Sequence, residues 1–379
     1  MPVSRRKMLT QLVATALAGA SARSLAAYSL PTDTRELEHG PIRLNRNENA
    51  YGPSEKAVSA AASSFAFANR YPSRQVEDLK EAIAGIHGVG AEQVVVGPGS
   101  SELLRTLAAA FLGPNKRLIT AAPTFDVIAK EARWAGADVV EVPLTRDYAH
   151  NLGEMLSHAQ KSAGLIYVCN PNNPTGSLTG RDDLESFLRA VPREYYVVID
   201  EAYHHYVPPS VAYRSFIDHP TDNPRVIVTR TFSKVYGLAG ARIGYAVAAP
   251  QTTRRLATER LEASLSSFGL TAAIAALTDL DHVSNCARRN TDDVQEFLNQ
   301  VNARHGHVID PHANFVLIQT DHSAETVLEQ FAQKDILLGP AVPEMNTHVR
   351  VSLGTAAEME EFWRVWDVLL PISSMHMNM

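Results

Sequence analysis

Short apolar runs and amphipathic segments alternate along most of the chain. Apolar runs typical of buried strands occupy residues 93–96, 118–121, 137–142, 165–169, 195–199, 226–229 and 246–249. Segments with helical spacing of apolar residues lie before the first of them, at 75–87, and between others, at 101–112, 124–135 and 181–191. This alternation predicts an α/β fold built on a parallel sheet with helices on both faces.

The pattern changes after residue 249. Helices are predicted at 252–265, 283–304, 324–334 and 356–370, with strand-like segments at 307–320 and 347–354. A chain of 379 residues exceeds what one hydrophobic core usually supports. We therefore predict an arm at 28–50, a large domain at 51–265 and a smaller α+β domain at 266–379.

The first 27 residues differ in character from the rest. Ser4-Arg5-Arg6-Lys7-Met8-Leu9 is a twin-arginine pattern, and an apolar stretch at 9–20 leads to small residues ending at Ala26. This is the order of a signal peptide, and the apolar part is too short to span a bilayer. We expect a leader at 1–27 and a periplasmic or otherwise exported protein, since paired arginines direct folded proteins to export. A cytoplasmic protein with a chance Arg-Arg pair is the alternative.

Composition and charge narrow the function classes. The chain is 45% hydrophobic and 20% charged, as in soluble globular enzymes. Its net charge of -6 argues against nucleic acid as the main partner. Two cysteines, Cys169 and Cys286, cannot form a disulfide framework, and Cys169 lies in an apolar run typical of the core. Neither a metal site nor a stable membrane anchor is predicted.

One lysine stands out near the end of a predicted strand. Lys234 follows the polar turn Thr231-Phe232-Ser233, and small residues and Arg242 come after it. A lysine in this setting can form a Schiff base with a carbonyl cofactor if its pKa is lowered. Thr231, Ser233 and Arg242 together suit a dianionic phosphate. A surface lysine in a glycine-rich loop is the alternative.

Polar motifs follow the other predicted strands, at the edge where ligands bind parallel sheets. Ser100 and Ser101 open a helix after a glycine turn, which suits either an anion site or a plain helix cap. Asp200 ends an apolar strand and needs a partner, for which a protonated pyridine nitrogen is suitable. Tyr203 and Asn173 could reach an adjacent ring hydroxyl, although Asn173 also fits an ordinary Asn-Pro turn.

Three further residues complete the candidate set. Phe125 could stack on a flat ring or simply belong to the core. Arg350 alternates with apolar residues in a strand, where it could hold a substrate carboxylate or form an internal salt bridge. Asn47 lies in a loop rich in Asn, Gly and Pro that is either a substrate-side wall or a plain surface turn.

Taken together, these motifs resemble the fold-type I, class I and II aminotransferases that use pyridoxal 5′-phosphate (PLP). The sequence is most similar to the histidinol-phosphate aminotransferase branch of that family. The matching motifs are LNRNENAYGPS, NRYP, GPGSSELL, PTF, NPNNPTG, DEAY, TFSKVYGLAGARIGY and HVRVSLGT. They occur in the family's order and cover nearly the whole chain after the leader.

The resemblance implies a large domain with a mostly parallel, seven-stranded-type sheet and a role for each candidate. Lys234 would carry PLP and move the substrate proton, and Asp200 would keep the pyridine nitrogen protonated. The other implied roles are ring contacts by Asn173, Tyr203 and Phe125, phosphate contacts by Ser100, Ser101, Thr231, Ser233 and Arg242, substrate contacts by Asn47 and Arg350, and a phosphate contact by Tyr71 of a second subunit in a homodimer.

The family activity would transfer an amino group from an amino acid to a 2-oxo acid by a ping-pong mechanism. The alternatives are a PLP-dependent decarboxylase or lyase of the same fold, and a non-catalytic cofactor-binding protein. Two positions depart from the branch: Ala50 replaces a usual proline, and residues 335–340 lack the arginine that helps bind a substrate phosphate. We therefore expect a general α-amino acid donor, aromatic or otherwise bulky, in place of histidinol phosphate.

Overall fold

The structure is a computed structural model that describes residues 40–160, 162–208, 210, 212–259 and 264–370. The predicted twin-arginine leader at 1–27 and the first part of the predicted arm lie outside these residues. Within them, no helix is both long and apolar enough to cross a membrane.

The described chain alternates strands and helices through most of its length. The strands are β1 (Ile42–Leu44), β2 (Val94–Gly97), β3 (Arg117–Ala122), β4 (Asp138–Pro143), β5 (Gly164–Cys169), β6 (Tyr195–Asp200), β7 (Val226–Thr231), β8 (Gly244–Val247), β9 (Phe315–Gln319), β10 (Ile336–Leu338) and β11 (His348–Ser352). The helices are α1 (Glu55–Ser64), α2 (Ser73–His87), α3 (Ser100–Phe111), α4 (Val127–Trp134), α5 (Leu152–His158), α6 (Arg181–Ala190), α7 (His219–Asp222), α8 (Pro250–Ala257), α9 (Ser267–Leu277), α10 (Leu280–Ala303), α11 (Ala324–Ala332) and α12 (Ala356–Leu369).

A seven-stranded sheet in the order β2-β8-β7-β6-β5-β3-β4 organises the first two thirds of the described chain. Strands β3 to β7 pair in parallel, whereas β8 is antiparallel to both β2 and β7. A parallel neighbour needs a long crossover, usually a helix. Residues 232–243 between β7 and β8 instead form the loop that carries Lys234, so β8 returns antiparallel. The predicted α/β fold with a mostly parallel sheet is confirmed.

Hydrophobic side chains cover both faces of the sheet, as the strand–helix alternation predicted. On one face, α3 and α4 pack against β5 through Leu104, Ile128 and Leu165. On the other face, α5 and α6 contribute Met155 and Phe187. The sheet is therefore buried on both sides, which leaves its carboxyl edge as the place where polar side chains can gather.

The C-terminal elements build a separate hydrophobic cluster. Strand β9 pairs antiparallel with β11, and β1 pairs in parallel with β10. Phe297, Val316, Phe331 and Phe362 lie in the cluster that these elements share with α10, α11 and α12. The pairing of β1 with β10 places the loop that follows β1 beside the C-terminal strands. The predicted domain boundary at 265 stays a prediction.

Several predicted boundaries were wrong. The helix predicted at 252–265 ends at Ala257, and the strand-like segment at 307–320 is regular only over Phe315–Gln319. Helices α1, α5, α7 and α9 were not predicted. In α9, Leu270 and Ala273 are fully buried and the sequence has no polar face, so amphipathic spacing gives no signal there.

Candidate active site

A cavity of about 1220 Å³ lies at the carboxyl ends of β3, β5, β6 and β7. All the residues that the sequence suggested for the site line it, with the exception of Tyr71: Asn47, Ser100, Ser101, Phe125, Asn173, Asp200, Tyr203, Thr231, Ser233, Lys234, Arg242 and Arg350. The polar strand ends therefore meet in one place, as the parallel-sheet argument required.

One end of the cavity is built to hold an anion. Helix α3 begins at Ser100 after Gly99, whose φ of 89° suits glycine. A Cβ on Gly99 would collide with the guanidinium of Arg242, so glycine also lets that side chain approach the helix start. Arg242 Nη1 donates to Ser233 Oγ at 3.3 Å. Free first-turn N–H groups, hydroxyls and a guanidinium suit a phosphate.

Lys234 lies in the middle of the cavity and is partly buried. Its Nζ donates hydrogen bonds to the backbone carbonyls of Asn47 at 2.8 Å and Arg46 at 3.2 Å. Burial, followed by the positive charge of Arg350, lowers the pKa of the lysine to about 7. Much of the amine is therefore neutral and nucleophilic near neutral pH. The alternative of a surface lysine is wrong.

Asp200 ends β6 and is only 2% exposed. Its Oδ2 accepts a hydrogen bond from the Tyr167 hydroxyl at 2.9 Å, and its Oδ1 accepts one from the Ala202 N–H at 3.2 Å. Burial raises the pKa of this carboxyl to about 6. Among the described residues, no basic side chain lies within ion-pair distance of it. A cationic heterocycle would supply the missing charge.

Asn173 and Tyr203 lie together beside Asp200. The Tyr203 hydroxyl accepts hydrogen bonds from Asn47 Nδ2 at 3.0 Å and from Asn173 Nδ2 at 3.4 Å. Burial raises the pKa of Tyr203, so the phenol stays protonated and can donate to a ring oxygen. This confirms that the structure brings the two residues together and adds Asn47 to the group.

Arg350, on β11, enters the cavity from the C-terminal side. Its Nη1 donates to Asn173 Oδ1 at 2.6 Å and its Nη2 to the Asn45 carbonyl at 2.9 Å, while Nε is buried with no hydrogen-bond partner in the described chain. The internal salt bridge considered as an alternative is not found among the described residues. The guanidinium charge is therefore available for a ligand carboxylate.

The two predicted aromatic residues differ in position. Phe125 lines the cavity and also packs against the apolar cluster beneath it, and its stacking on a cofactor ring stays a prediction. Tyr71 is 83% exposed and is not among the residues that line the cavity. Its predicted contact with a second subunit's cofactor stays a prediction.

Sequence reasoning missed three residues that hold the site together. Asn314 Nδ2 donates to the carbonyls of Asn47 and Glu48. Ser352 Oγ accepts from the Asn47 N–H at 2.8 Å and donates to Asn47 Oδ1 at 3.1 Å. Ser352 stands two positions after Arg350 on β11, and that spacing on one strand face was an available signal. Tyr167 is the third, and its position inside an apolar run did not indicate a polar role.

The aminotransferase class I and II family model matches residues 40–365. The chain belongs to this family. The histidinol-phosphate aminotransferase of Moorella thermoacetica is 35% identical over 329 residues, which cover 85% of this chain and 84% of that protein. The enzyme of the same name from Symbiobacterium thermophilum is also 35% identical, over 86% of this chain and 90% of its own length.

Solved structures agree with this membership. Histidinol-phosphate aminotransferase from Sinorhizobium meliloti in complex with pyridoxal-5′-phosphate superimposes with a TM-score of 0.81 at 27% identity, over 89% of this chain and 94% of its own. L-threonine-O-3-phosphate decarboxylase from Porphyromonas gingivalis, at 20% identity and a TM-score of 0.75, shows the shared fold only.

This aminotransferase is a PLP-dependent enzyme, so the predicted family, fold type, cofactor and reaction class are confirmed. The residues present fit PLP on their own chemistry. An amine of lowered pKa, a buried acid without a basic partner and an anion-binding helix start surround one cavity. These features also favour an enzyme over a non-catalytic binding protein.

Proposed function

We propose that this aminotransferase uses an α-amino acid with an aromatic or otherwise bulky side chain as amino donor and a 2-oxo acid as acceptor, in a ping-pong cycle. The observation that carries the proposal is Arg350, whose charge faces the same cavity as Lys234 without a carboxylate partner in the described chain. A donor carboxylate bound to this guanidinium would bring an amino acid's Cα near the lysine.

The wall of the cavity near Arg350 supports a bulky apolar donor. The end of β10 and the segment after it contribute Leu338, Pro340, Ala341, Val342 and Pro343 to the lining, followed by one acidic residue, Glu344. Residues 335–343 contain no arginine or lysine. A substrate side chain against this wall meets mainly apolar surface, which favours a hydrophobic group over a second phosphate.

Three residues of this chain have separate roles in the proposed reaction. Bound PLP supplies a carbonyl carbon for the donor amine and a ring that takes up electrons. Lys234 would take the proton from the donor Cα and deliver it to that carbonyl carbon, and the carbonyls of Asn47 and Arg46 would accept hydrogen bonds from its protonated form. Asp200 holds a proton on the ring nitrogen. Arg350 orients the donor through its carboxylate.

Histidinol phosphate is the second candidate donor, because the curated relatives at about a third identity carry that name. A panel of purified amino donors with 2-oxoglutarate separates the two candidates. We expect bulky amino acids to be turned over faster than histidinol phosphate. Reaction with histidinol phosphate alone would contradict the proposal, and release of carbon dioxide from the donor would indicate the decarboxylase alternative.

A homodimer is also part of the proposal. The turn after α1 exposes Phe65 by 64% and Phe67 by 62%, and Tyr71 follows it on the surface. Large exposed apolar side chains in one short segment are typical of a protein–protein contact. Light scattering during size exclusion should give twice the chain mass. A monomeric mass for the active enzyme would contradict this.

The leader supports a proposal about location. The paired Arg5 and Arg6 before an apolar stretch favour export of the folded enzyme by the twin-arginine route. Cell fractionation should find the protein outside the cytoplasm with a new N-terminus near Ala26. Arg5→Lys combined with Arg6→Lys should retain it inside. An intact N-terminus on active cytoplasmic protein would favour the cytoplasmic alternative.

A further inference from the structure

We propose that Tyr167 is a positioning residue that keeps the Asp200 carboxylate ionised and fixed in orientation toward the cofactor ring. The inference rests on the proposed role of Asp200. The hydroxyl of Tyr167 lies 2.9 Å from Asp200 Oδ2, and both side chains are buried. This hydrogen bond joins the site to a side chain in the middle of the sheet.

The sheet register explains how a tyrosine so far from the strand end reaches the site. Strands β5 and β6 pair in parallel, with Cys169 opposite Asp200 and Tyr167 opposite Val198. Residues two apart on a strand share a face and lie about 6.6 Å apart along it. The length of a phenol ring and its hydroxyl spans that distance, so Tyr167 reaches past Cys169 to the carboxylate.

The direction of the hydrogen bond is fixed by the chemistry of the pair. Burial raises the pKa of Tyr167 well above its usual value, so the phenol stays protonated and donates. Burial also raises the pKa of Asp200, and the hydrogen bond from Tyr167 opposes this rise. Without that donor, a ring N–H and a buried carboxylate would more readily share the proton as two neutral groups.

Other titratable groups around Asp200 do not replace this donor. Burial raises the pKa of the Cys169 thiol, which donates to the Pro171 carbonyl. Glu201 is paired with Arg230 at 2.8 Å. Tyr203 accepts from Asn47, and Lys234 donates to backbone carbonyls. The hydroxyl of Thr229 also lowers the pKa of Asp200, but its Oγ1 has no hydrogen-bond partner among the described residues. Tyr167 therefore supplies the side-chain hydrogen bond to the acid in the described structure.

Packing alone does not explain a hydroxyl at this position. Tyr167 belongs to the apolar cluster with Leu165, Val198 and Ile227, where a phenylalanine ring would fill the same space. A buried hydroxyl costs free energy unless it is hydrogen-bonded. The polar atom at position 167 is therefore best explained by the acid that it contacts.

Tyr167→Phe tests the proposal, with Tyr195→Phe as the matched control. Tyr195 is a buried tyrosine of the same sheet, at the opposite end of β6, whose hydroxyl contacts Ser162. Loss of a hydrogen bond to a charged group predicts that kcat falls by about 10- to 100-fold in Tyr167→Phe. The KM of the donor should change by less than about threefold, because the residue does not touch substrate.

Cofactor binding provides a readout that needs no turnover. Fluorescence titration of the cofactor-free protein should give weaker PLP binding in Tyr167→Phe, with the acid midpoint of the affinity moved to higher pH. The sign follows because loss of the donor raises the pKa of Asp200, so protonation disables the acid at a higher pH. Wild-type kcat and an unchanged midpoint in Tyr167→Phe would overturn the proposal.

A double variant separates this inference from the role of Asp200. If Tyr167 acts through the carboxylate, adding Tyr167→Phe to Asp200→Asn should cost little further in kcat or melting temperature. Equal losses in both backgrounds would overturn the inference and leave the role of Asp200 intact. Full activity of Asp200→Asn would overturn the role of the acid itself. If Tyr167→Phe alone is too poorly soluble for kinetics, the melting temperatures of Asp200→Asn and of the double variant give the same answer.

Discussion

The amine of Lys234 donates a hydrogen bond to the backbone carbonyl of Asn47 at 2.8 Å. This contact joins the loop after β1 to the loop after β7, which lie almost two hundred positions apart in the sequence. Asn47 has a φ of 53°, a conformation that few residues other than glycine adopt. Its carbonyl is held in place to receive the lysine amine.

Asn314→Ala tests whether that placement matters. Asn314 donates to the carbonyls of Asn47 and Glu48 at 3.1 and 3.0 Å. Because the two lost hydrogen bonds together remove about 1 to 2 kcal/mol, we expect kcat to fall by about 5- to 30-fold. Steady-state kinetics of the variant against Asn299→Ala, an exposed asparagine, gives the comparison. Equal kcat values in the two variants would show that Lys234 does not need the held carbonyl.

The lowered pKa of Lys234 predicts a pH dependence for PLP capture. The neutral amine is the nucleophile, so capture by the cofactor-free protein should rise with pH to a midpoint near 7 and then level off. Arg350 contributes to lowering this pKa, so Arg350→Met should move the midpoint up, whereas Arg350→Lys should move it less. Stopped-flow absorbance across pH 5.5 to about 9.5 measures it. A midpoint near the usual lysine value would contradict the burial argument.

Asp200→Ala should lower kcat by more than about tenfold, because the ring nitrogen loses the anion that keeps it protonated. The measurement is single-turnover amino transfer with PLP in excess, so that weaker cofactor binding does not contribute. Asp218→Asn, an exposed acid outside the cavity, is the control. A rate close to wild type would mean that ring protonation does not depend on this acid.

Arg350→Lys should raise the KM for amino acid donors by about 10- to 100-fold, since a single ammonium replaces a planar guanidinium with two donors. A donor amine that lacks the carboxylate should be affected far less. Arg364→Lys, an exposed arginine paired with Glu361, controls for the substitution. Equal losses for both donors would mean that Arg350 does not bind the carboxylate.

The sequence predicted the sheet well because its strands are local apolar runs. It missed the antiparallel direction of β8. That direction depends on whether the connection from β7 is a loop or a crossover helix, and the apolar run of β8 itself does not encode it. It also missed the pairing of β1 with β10, two three-residue strands that are distant in the chain. Such pairing depends on tertiary packing, which local patterns do not encode.

The candidate site shows the same division between local patterns, which could be predicted, and tertiary contacts, which could not. Lys234 and Asp200 were predicted because they follow or end apolar strands, and Arg350 because it alternates with apolar residues inside one; a charged group in such a place needs a partner. Tyr167 was not predicted, since a tyrosine inside an apolar run is indistinguishable from a core residue until the register with β6 is known. Asn314 was missed because its contacts are to backbone carbonyls of a distant loop.

The central claim is that the amine of Lys234 is the group that binds PLP covalently. Borohydride reduction of the PLP-loaded enzyme followed by peptide mass spectrometry tests it directly. We expect the cofactor's mass on the peptide containing Lys234, and we expect Lys234→Ala to carry no label and no activity while an exposed Lys116→Ala control keeps both. Label on another lysine, or transamination by Lys234→Ala at near the wild-type rate, would contradict the account.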